Sequence, residues 1–187
     1  MAKCPMCKGA YLHLSTYEEN LPVNECPVCG GAWLRANEYA VWLKTQTPGS
    51  YDLEGVEELN ISQQISDSQQ AAFCPDCGHF LRSYQVEIGI GFHLDRCNNC
   101  NGVWLDRNEW QVLKSVDLHD EINRFFTQPW QRQIQDQETT KRLDAIFAER
   151  FGNEDYTKVK EVRNWLEGHR NRNTLLAFLM DDDPYKA

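Results

Sequence analysis

The chain has 187 residues, a formal net charge of -9 at pH 7 and eight cysteines. This length allows one ordinary domain or several very small ones. The acidic charge disfavours a protein that grips nucleic acid mainly through phosphates, and the absence of an eighteen-residue apolar run excludes a transmembrane helix.

The cysteines form four Cys-x-x-Cys pairs with none left over. In a reducing compartment such pairs are typical of metal binding or redox chemistry rather than of disulfides. Two pairs separated by eighteen or nineteen residues, repeated twice, predict two structural zinc sites, with an iron–sulfur centre or a redox dithiol as the alternatives. The predicted ligands of two Zn²⁺ ions per chain are Cys4, Cys7, Cys26 and Cys29, then Cys74, Cys77, Cys97 and Cys100.

The segment from Cys4 to Lys44 recurs as Cys74 to Lys114, so the chain contains a duplicated module. From Cys26 the first copy reads CPVCGGAWLRANEY, and from Cys97 the second copy reads CNNCNGVWLDRNEW. Apolar alternation between the cysteine pairs predicts paired strands, and helix signals follow. Asp106 and Glu109 have the spacing of a capping box, whereas Arg35 takes the Asp position in the first copy, so that helix should begin less firmly.

Two tryptophans follow the second cysteine pair of each module. Trp33 and Trp104 are either exposed stacking platforms for bases or apolar plugs over the zinc sites, and the plug is favoured because so small a module has little other core. Trp42 and Trp110 are the better candidates for exposed, partner-binding residues or for an inter-module contact.

The modules are predicted to occupy residues 1–46 and 73–117, joined by an acidic flexible linker at 47–72. A short amphipathic helix around Val56 to Ile65 is one option within it. We therefore expect the two ribbons to move independently. We also expect Cys100→Ser to unfold the second ribbon and leave the first folded.

Residues 118–187 show helical periodicity and predict an α-helical C-terminal region. Arg170 and Arg172 form a short basic run that is a candidate partner-binding site, although flanking acidic residues favour a solvated, self-neutralising surface. The fold class predicted for the whole chain is a small metal-stabilised α+β protein, with two tandem Cys4 ribbons followed by helices.

The string CPxC, about eighteen residues, then CPxCGGxWL-x-x-x-E resembles the bacterial family of zinc ribbons named after the transcription factor IIB-type zinc finger. The resemblance covers residues 3–44 and 73–114. It implies a β-hairpin ribbon with zinc between two knuckles and a short following helix, and the family name points to transcription. Departures are Arg35 for the usual Asp and Cys97-Asn-Asn-Cys100-Asn for Cys-Pro-x-Cys-Gly.

The sequence contains no catalytic constellation, and four thiolates leave zinc no open position for water, so we expect a protein that is not an enzyme. The leading hypothesis is a non-enzymatic adaptor or regulatory protein that docks on another macromolecule, with the transcription or translation machinery as candidates. The acidic charge favours a protein partner. The alternatives are a single-stranded DNA- or RNA-binding protein and a redox-sensing or chaperone-like zinc protein.

No membrane partner and no small-molecule substrate are expected. The chain begins Met-Ala-Lys-Cys, which leaves no space for a signal peptide before the first ligand, and this predicts a cytoplasmic location.

Overall fold

The computed structural model describes residues 2–46, 70–86 and 91–185. The chain divides into two compact units, Met1–Asp136 and Gln137–Ala187. Most of the expected linker, including the optional helix at Val56 to Ile65, lies outside the described residues.

Each copy of the repeat contributes three antiparallel strands and one helix to the first unit. The first copy supplies β1 (His13–Glu18), β2 (Leu21–Glu25), β3 (Ala32–Leu34) and α1 (Ala36–Leu43). The second supplies β4 (Leu81–Gln85), β5 (His93–Cys97), β6 (Val103–Leu105) and α2 (Glu109–Ser115).

The two ribbons form one sheet of six strands in the order β1-β2-β3-β6-β5-β4. Strands β3 and β6 pair antiparallel, and Trp33 lies opposite Trp104. Each ribbon alone would leave its third strand as an exposed edge with unpaired backbone groups, and the pairing satisfies them. The expectation of independently moving ribbons is therefore wrong.

The two central tryptophans are buried against the opposite copy. Trp33 and Trp104 are 0% and 1% exposed. A Cβ atom on Gly102 would lie 2.8 Å from Cη2 of Trp33, and one on Gly31 would lie 3.0 Å from Cε2 of Trp104. The repeated Gly-x-Trp motif thus packs the indole ring of each copy against the glycine of the other copy. The favoured interpretation of Trp33 and Trp104 as buried plugs is confirmed.

Side-chain alternation gives the sheet two buried faces. In β3, Trp33 joins the cluster that contains the cysteines, while Ala32 and Leu34 join the main apolar core with the helices. The strand period of two produces this division, because successive residues point to opposite faces. One face holds the metal-ligating residues and the other packs against α1 and α2.

Trp42 and Trp110 lie inside the main core, at 1% and 2% exposure, so their assignment as exposed partner-binding residues is wrong. Their ring centroids are 5.7 Å apart in an edge-on arrangement. Trp110 Nε1 also donates to Glu18 Oε1 of the first copy at 3.3 Å. Trp42 and Trp110 instead make the inter-module contact that the sequence also predicted, because α1 and α2 pack into one apolar core.

The first unit continues past the second ribbon into α3 (Ile122–Phe125) and the start of α4 (Gln128–Phe151). Trp130 Nε1 donates to the Val86 carbonyl at 2.7 Å, and Ile134 is buried in the same core. The beginning of the helical region thus packs in the ribbon core. The predicted boundary at residue 118 falls inside this unit.

The second unit contains the rest of α4, α5 (Asn153–Glu167) and α6 (Arg172–Met180). Within the described ranges, no helix combines the length and the apolar character that crossing a bilayer requires.

Prediction from the ring-on-glycine packing: Gly102→Ala should destabilise the first unit by about 1–3 kcal/mol, because the added methyl overpacks a site filled by the Trp33 ring. Denaturant unfolding of the zinc-loaded protein measures the change. Gly168→Ala is the matched control, since a Cβ there meets no atom within 4 Å. Equal stability of the two variants would contradict the proposed packing constraint.

Candidate metal centres

The eight cysteines form two groups of four whose sulfur atoms all lie within 4.8 Å of one another. The Sγ–Sγ distances are 3.8 Å for Cys4–Cys29, 3.5 Å for Cys74–Cys100 and 3.4 Å for Cys77–Cys97. All eight are free of disulfide bonds. A tetrahedral ion with metal–sulfur bonds of about 2.3 Å separates its ligand sulfurs by about 3.8 Å, so each group fits one Zn²⁺.

The local backbone turns around the sulfurs are those of zinc knuckles. The Cys7 amide donates to Cys4 Sγ at 3.2 Å, and the Cys77 amide donates to Cys74 Sγ at 3.4 Å. The residue after a second cysteine adopts positive φ: 74° at Gly30 and 61° at Asn101. Asparagine tolerates this region better than most residues, which explains why the Gly-to-Asn departure leaves the turn intact.

Electrostatics also favours a bound cation. Burial raises the pKa of the Cys4 thiol to about 11 and also raises the pKa of Cys74, whereas a backbone hydrogen bond from His79 lowers the pKa of Cys77 to about 6. Four thiolates held together repel one another, so the fully deprotonated site needs a compensating charge. A divalent ion supplies that charge, and its binding releases the protons.

The histidines are not needed as ligands. Among the described residues, the two cysteine quartets are the groups with metal-ligand geometry. His13 and His79 are exposed, and His79 Nδ1 lies 3.2 Å from the Cys77 carbonyl oxygen. This agrees with the expectation that four thiolates complete each site.

The first metal-site knuckle of the second ribbon is tied to the first ribbon by Asp76. Its Oδ2 accepts from Trp33 Nε1 at 2.9 Å and from Arg35 Nε at 2.8 Å, and its Oδ1 accepts from Arg35 Nη2 at 3.1 Å. Hydrogen bonding by Arg35 holds the pKa of the Asp76 carboxyl below its usual range. Arg35 stands where the family pattern has an Asp. Instead of capping the helix, its side chain connects the first ribbon to the second.

A second link runs in the opposite direction. Arg107 Nε donates to the Cys29 carbonyl at 3.0 Å, so an arginine of the second ribbon contacts a knuckle of the first. Each ribbon thus contributes an arginine to the metal-site loop of the other. Sequence reasoning did not single out Asp76 or Arg107, and the departure at Arg35 was the one available signal.

The structure shows the return contact of the predicted capping box. The Asp106 amide donates to Glu109 Oε2 at 2.7 Å, while Asp106 Oδ1 accepts from Trp104 Nε1 at 2.8 Å. Helix α1 begins at Ala36 without an Asp, whereas α2 begins at Glu109, the counterpart of Glu38. Arg35 makes no side-chain capping hydrogen bond at the start of α1, and its guanidinium instead contacts Asp76.

Arg170 and Arg172, the remaining candidate partner-binding residues, lie in the second unit. Both are exposed, and Arg172 is the first residue of α6.

Comparison with known protein families finds a match for each copy of the repeat. The family described as "Transcription factor zinc-finger", the TFIIB-type zinc ribbon, matches residues 3–45 and 73–116. The match in two segments agrees with the tandem copies and with the two cysteine quartets. No curated protein and no solved structure matches the chain.

Prediction from the shared sheet: Cys100→Ser should destabilise both ribbons, because loss of the second metal site removes support from β6 and hence from β3. Amide resonances of the first ribbon, recorded with the zinc content, measure this. Gln111→Ser, at an exposed position of α2 in the same ribbon, is the control. A first ribbon with unchanged resonances and one retained zinc would restore the independent-module expectation.

Prediction from the knuckle link: Asp76→Ala should lower the free energy of unfolding by about 1–3 kcal/mol, because the buried Trp33 indole N–H loses its acceptor. The more exposed ion pair with Arg35 adds little to this. Chemical unfolding at saturating zinc measures the change, with the exposed Glu19→Ala as control. A loss no larger than that of the control would mean that Asp76 does not join the ribbons.

Proposed function

Because the chain carries two tandem TFIIB-type zinc ribbons fused through one sheet, we propose that it is a non-enzymatic adaptor that docks a protein partner. The observation that carries the proposal is a pair of exposed aromatic side chains beside the zinc ligands of the second ribbon. We call this pair the knuckle surface and define it by Phe73 and Phe80, with exposed fractions of 61% and 57%; Tyr11 and Val28, near the ligands of the first ribbon, are also exposed, at 46% and 66%.

The knuckle surface has the chemistry of a protein-binding anchor. Phe73 and Phe80 lie on either side of the first knuckle of the second ribbon, joined by a β-bridge, with ring centroids 6.0 Å apart. Aromatic residues are enriched among the side chains that dominate binding energy at protein interfaces. Their fixed position next to a metal-closed loop keeps the entropy cost of binding low.

A protein partner accounts for these features better than a nucleic acid. The chain has a net charge of -9, and thiolate-bound zinc would add about -2 at each site. The tryptophans that base stacking would use within the ribbons, Trp33, Trp42, Trp104 and Trp110, are buried. The family description makes the transcription machinery the first partner class to examine, with translation components as the next.

Prediction for the adaptor: the double variant Phe73→Ser and Phe80→Ser should lose the partner that co-purifies with the zinc-loaded wild-type protein. Removing two exposed side chains should leave zinc content and unfolding stability nearly unchanged, within about 0.5 kcal/mol each. Quantitative affinity purification from lysate, with and without nuclease, measures the loss.

Val41→Ser is the matched control, since Val41 is 63% exposed on α1, away from the metal loops. A partner that survives nuclease and is lost only from the Phe73/Phe80 variant supports the adaptor. Binding that disappears with nuclease would favour nucleic-acid recognition instead of a protein partner. Equal capture by all three proteins would refute the knuckle surface as the docking site.

A further inference from the structure

The second unit exposes apolar side chains that a stable helical unit would bury. Among residues 137–185, Leu166 is the buried large apolar side chain, at 5% exposure, while eleven others are at least one-third exposed. On α4, Leu143, Phe147 and Phe151 recur every four residues and so share one face. The unit therefore presents an apolar helical surface without an apolar core beneath it.

The size of this surface matches a stable interface. Taking about 200 Å² for a large side chain, the eleven residues expose on the order of 1,000 Å². A stable interface buries about 800 Å² per partner, so these residues together expose enough apolar area for one. A groove of about 390 Å³ between α4 and α5 is lined by apolar residues, including Phe147, Phe151 and Val159, and by charged residues such as Lys160 and Glu167.

The charges around α6 are opposite to those that its helix dipole favours. Arg170 and Arg172 lie at its N-terminal end, and Asp181 to Asp183 follow its C-terminal end. The helix N-terminus carries partial positive charge and the C-terminus partial negative charge, so both groups are unfavourable for an isolated helix. A second α6 running antiparallel would place the aspartates of one helix beside the arginines of the other at both ends.

We propose that the second unit is a homodimerisation element, in which the apolar surface of α4 to α6 is covered by the same surface of a second copy, with the two α6 helices antiparallel. Phe178, Leu179 and Met180, which are 47%, 60% and 83% exposed, lie in the last turn of α6 and supply apolar contacts beside the charge pairs.

A second copy fits this surface better than a different protein. A two-fold interface must be complementary to itself, and this unit carries eight basic and ten acidic side chains in residues 137–185, so it can pair with its own charges. A unit that buries so few apolar side chains also needs a partner that shields its exposed apolar residues from water at all times. A second copy is always present in equal amount, and such folding and association are commonly coupled. The dimer would make the adaptor bivalent, with one knuckle surface on each chain.

The test measures the oligomeric state of the full-length, zinc-loaded chain by sedimentation equilibrium over a range of concentrations. The wild type should be a dimer. Phe178→Glu with Met180→Glu should weaken dimerisation at least tenfold, because it places charge in the apolar contact. Val41→Glu, in the first unit, should leave the dimer unchanged.

A charge exchange distinguishes antiparallel pairing from nonspecific association. Arg170→Glu with Arg172→Glu should weaken the dimer, as should Asp181→Lys with Asp182→Lys, because each variant faces like charges. The four changes together should restore wild-type affinity, since complementary ends meet again. Weakening in both doubles without restoration in the quadruple variant would refute the antiparallel arrangement.

A monomeric wild type at all concentrations, or a dimer insensitive to the Phe178 and Met180 changes, would overturn the proposal. The knuckle-surface variant Phe73→Ser with Phe80→Ser should dimerise normally. Partner capture therefore tests the adaptor proposal and sedimentation tests the dimer, so either proposal can fail without the other.

Discussion

The antiparallel pairing of β3 with β6 is the contact on which the first unit depends. It turns two ribbons of about forty residues, each with little core of its own, into one sheet with two shared apolar clusters. Trp33 and Trp104 lie opposite each other at the centre of that pairing, and each ring fills the space left by a glycine of the other copy. The duplicated motif is thus complementary to itself.

The metal centres support this sheet from one face. Each cysteine quartet lies in the cluster that also contains the central tryptophans, so a bound zinc holds the hairpins whose third strands join the ribbons. The knuckles are connected across the copies by Asp76 with Arg35 and by Arg107 with the Cys29 carbonyl. The metal sites are consequently parts of one structure, and we expect the loss of zinc from either site to destabilise the other.

The two units differ in how completely they bury their apolar residues. The first buries its tryptophans on both faces of a metal-supported sheet and leaves a few large apolar side chains exposed, several of them beside the knuckles. The second has regular helices but buries one large apolar side chain among its described residues. The first unit is a rigid sheet that exposes the knuckle surface, and the helices of the second unit expose apolar side chains that a second copy would bury. These two features are the physical basis for proposing a bivalent adaptor.

The sequence alone determined the eight metal ligands, the duplication and the helical character of the last third, because ligand spacing and hydrophobic periodicity are local properties. It could not determine that Trp42 and Trp110 are buried, since their burial depends on both copies sharing one core. Nor could it assign a role to Arg35, whose carboxylate partner lies forty-one residues away at Asp76. The tertiary structure decided these points because the strand edges, the ring-on-glycine packing and the crossed arginine contacts exist only when the two copies meet.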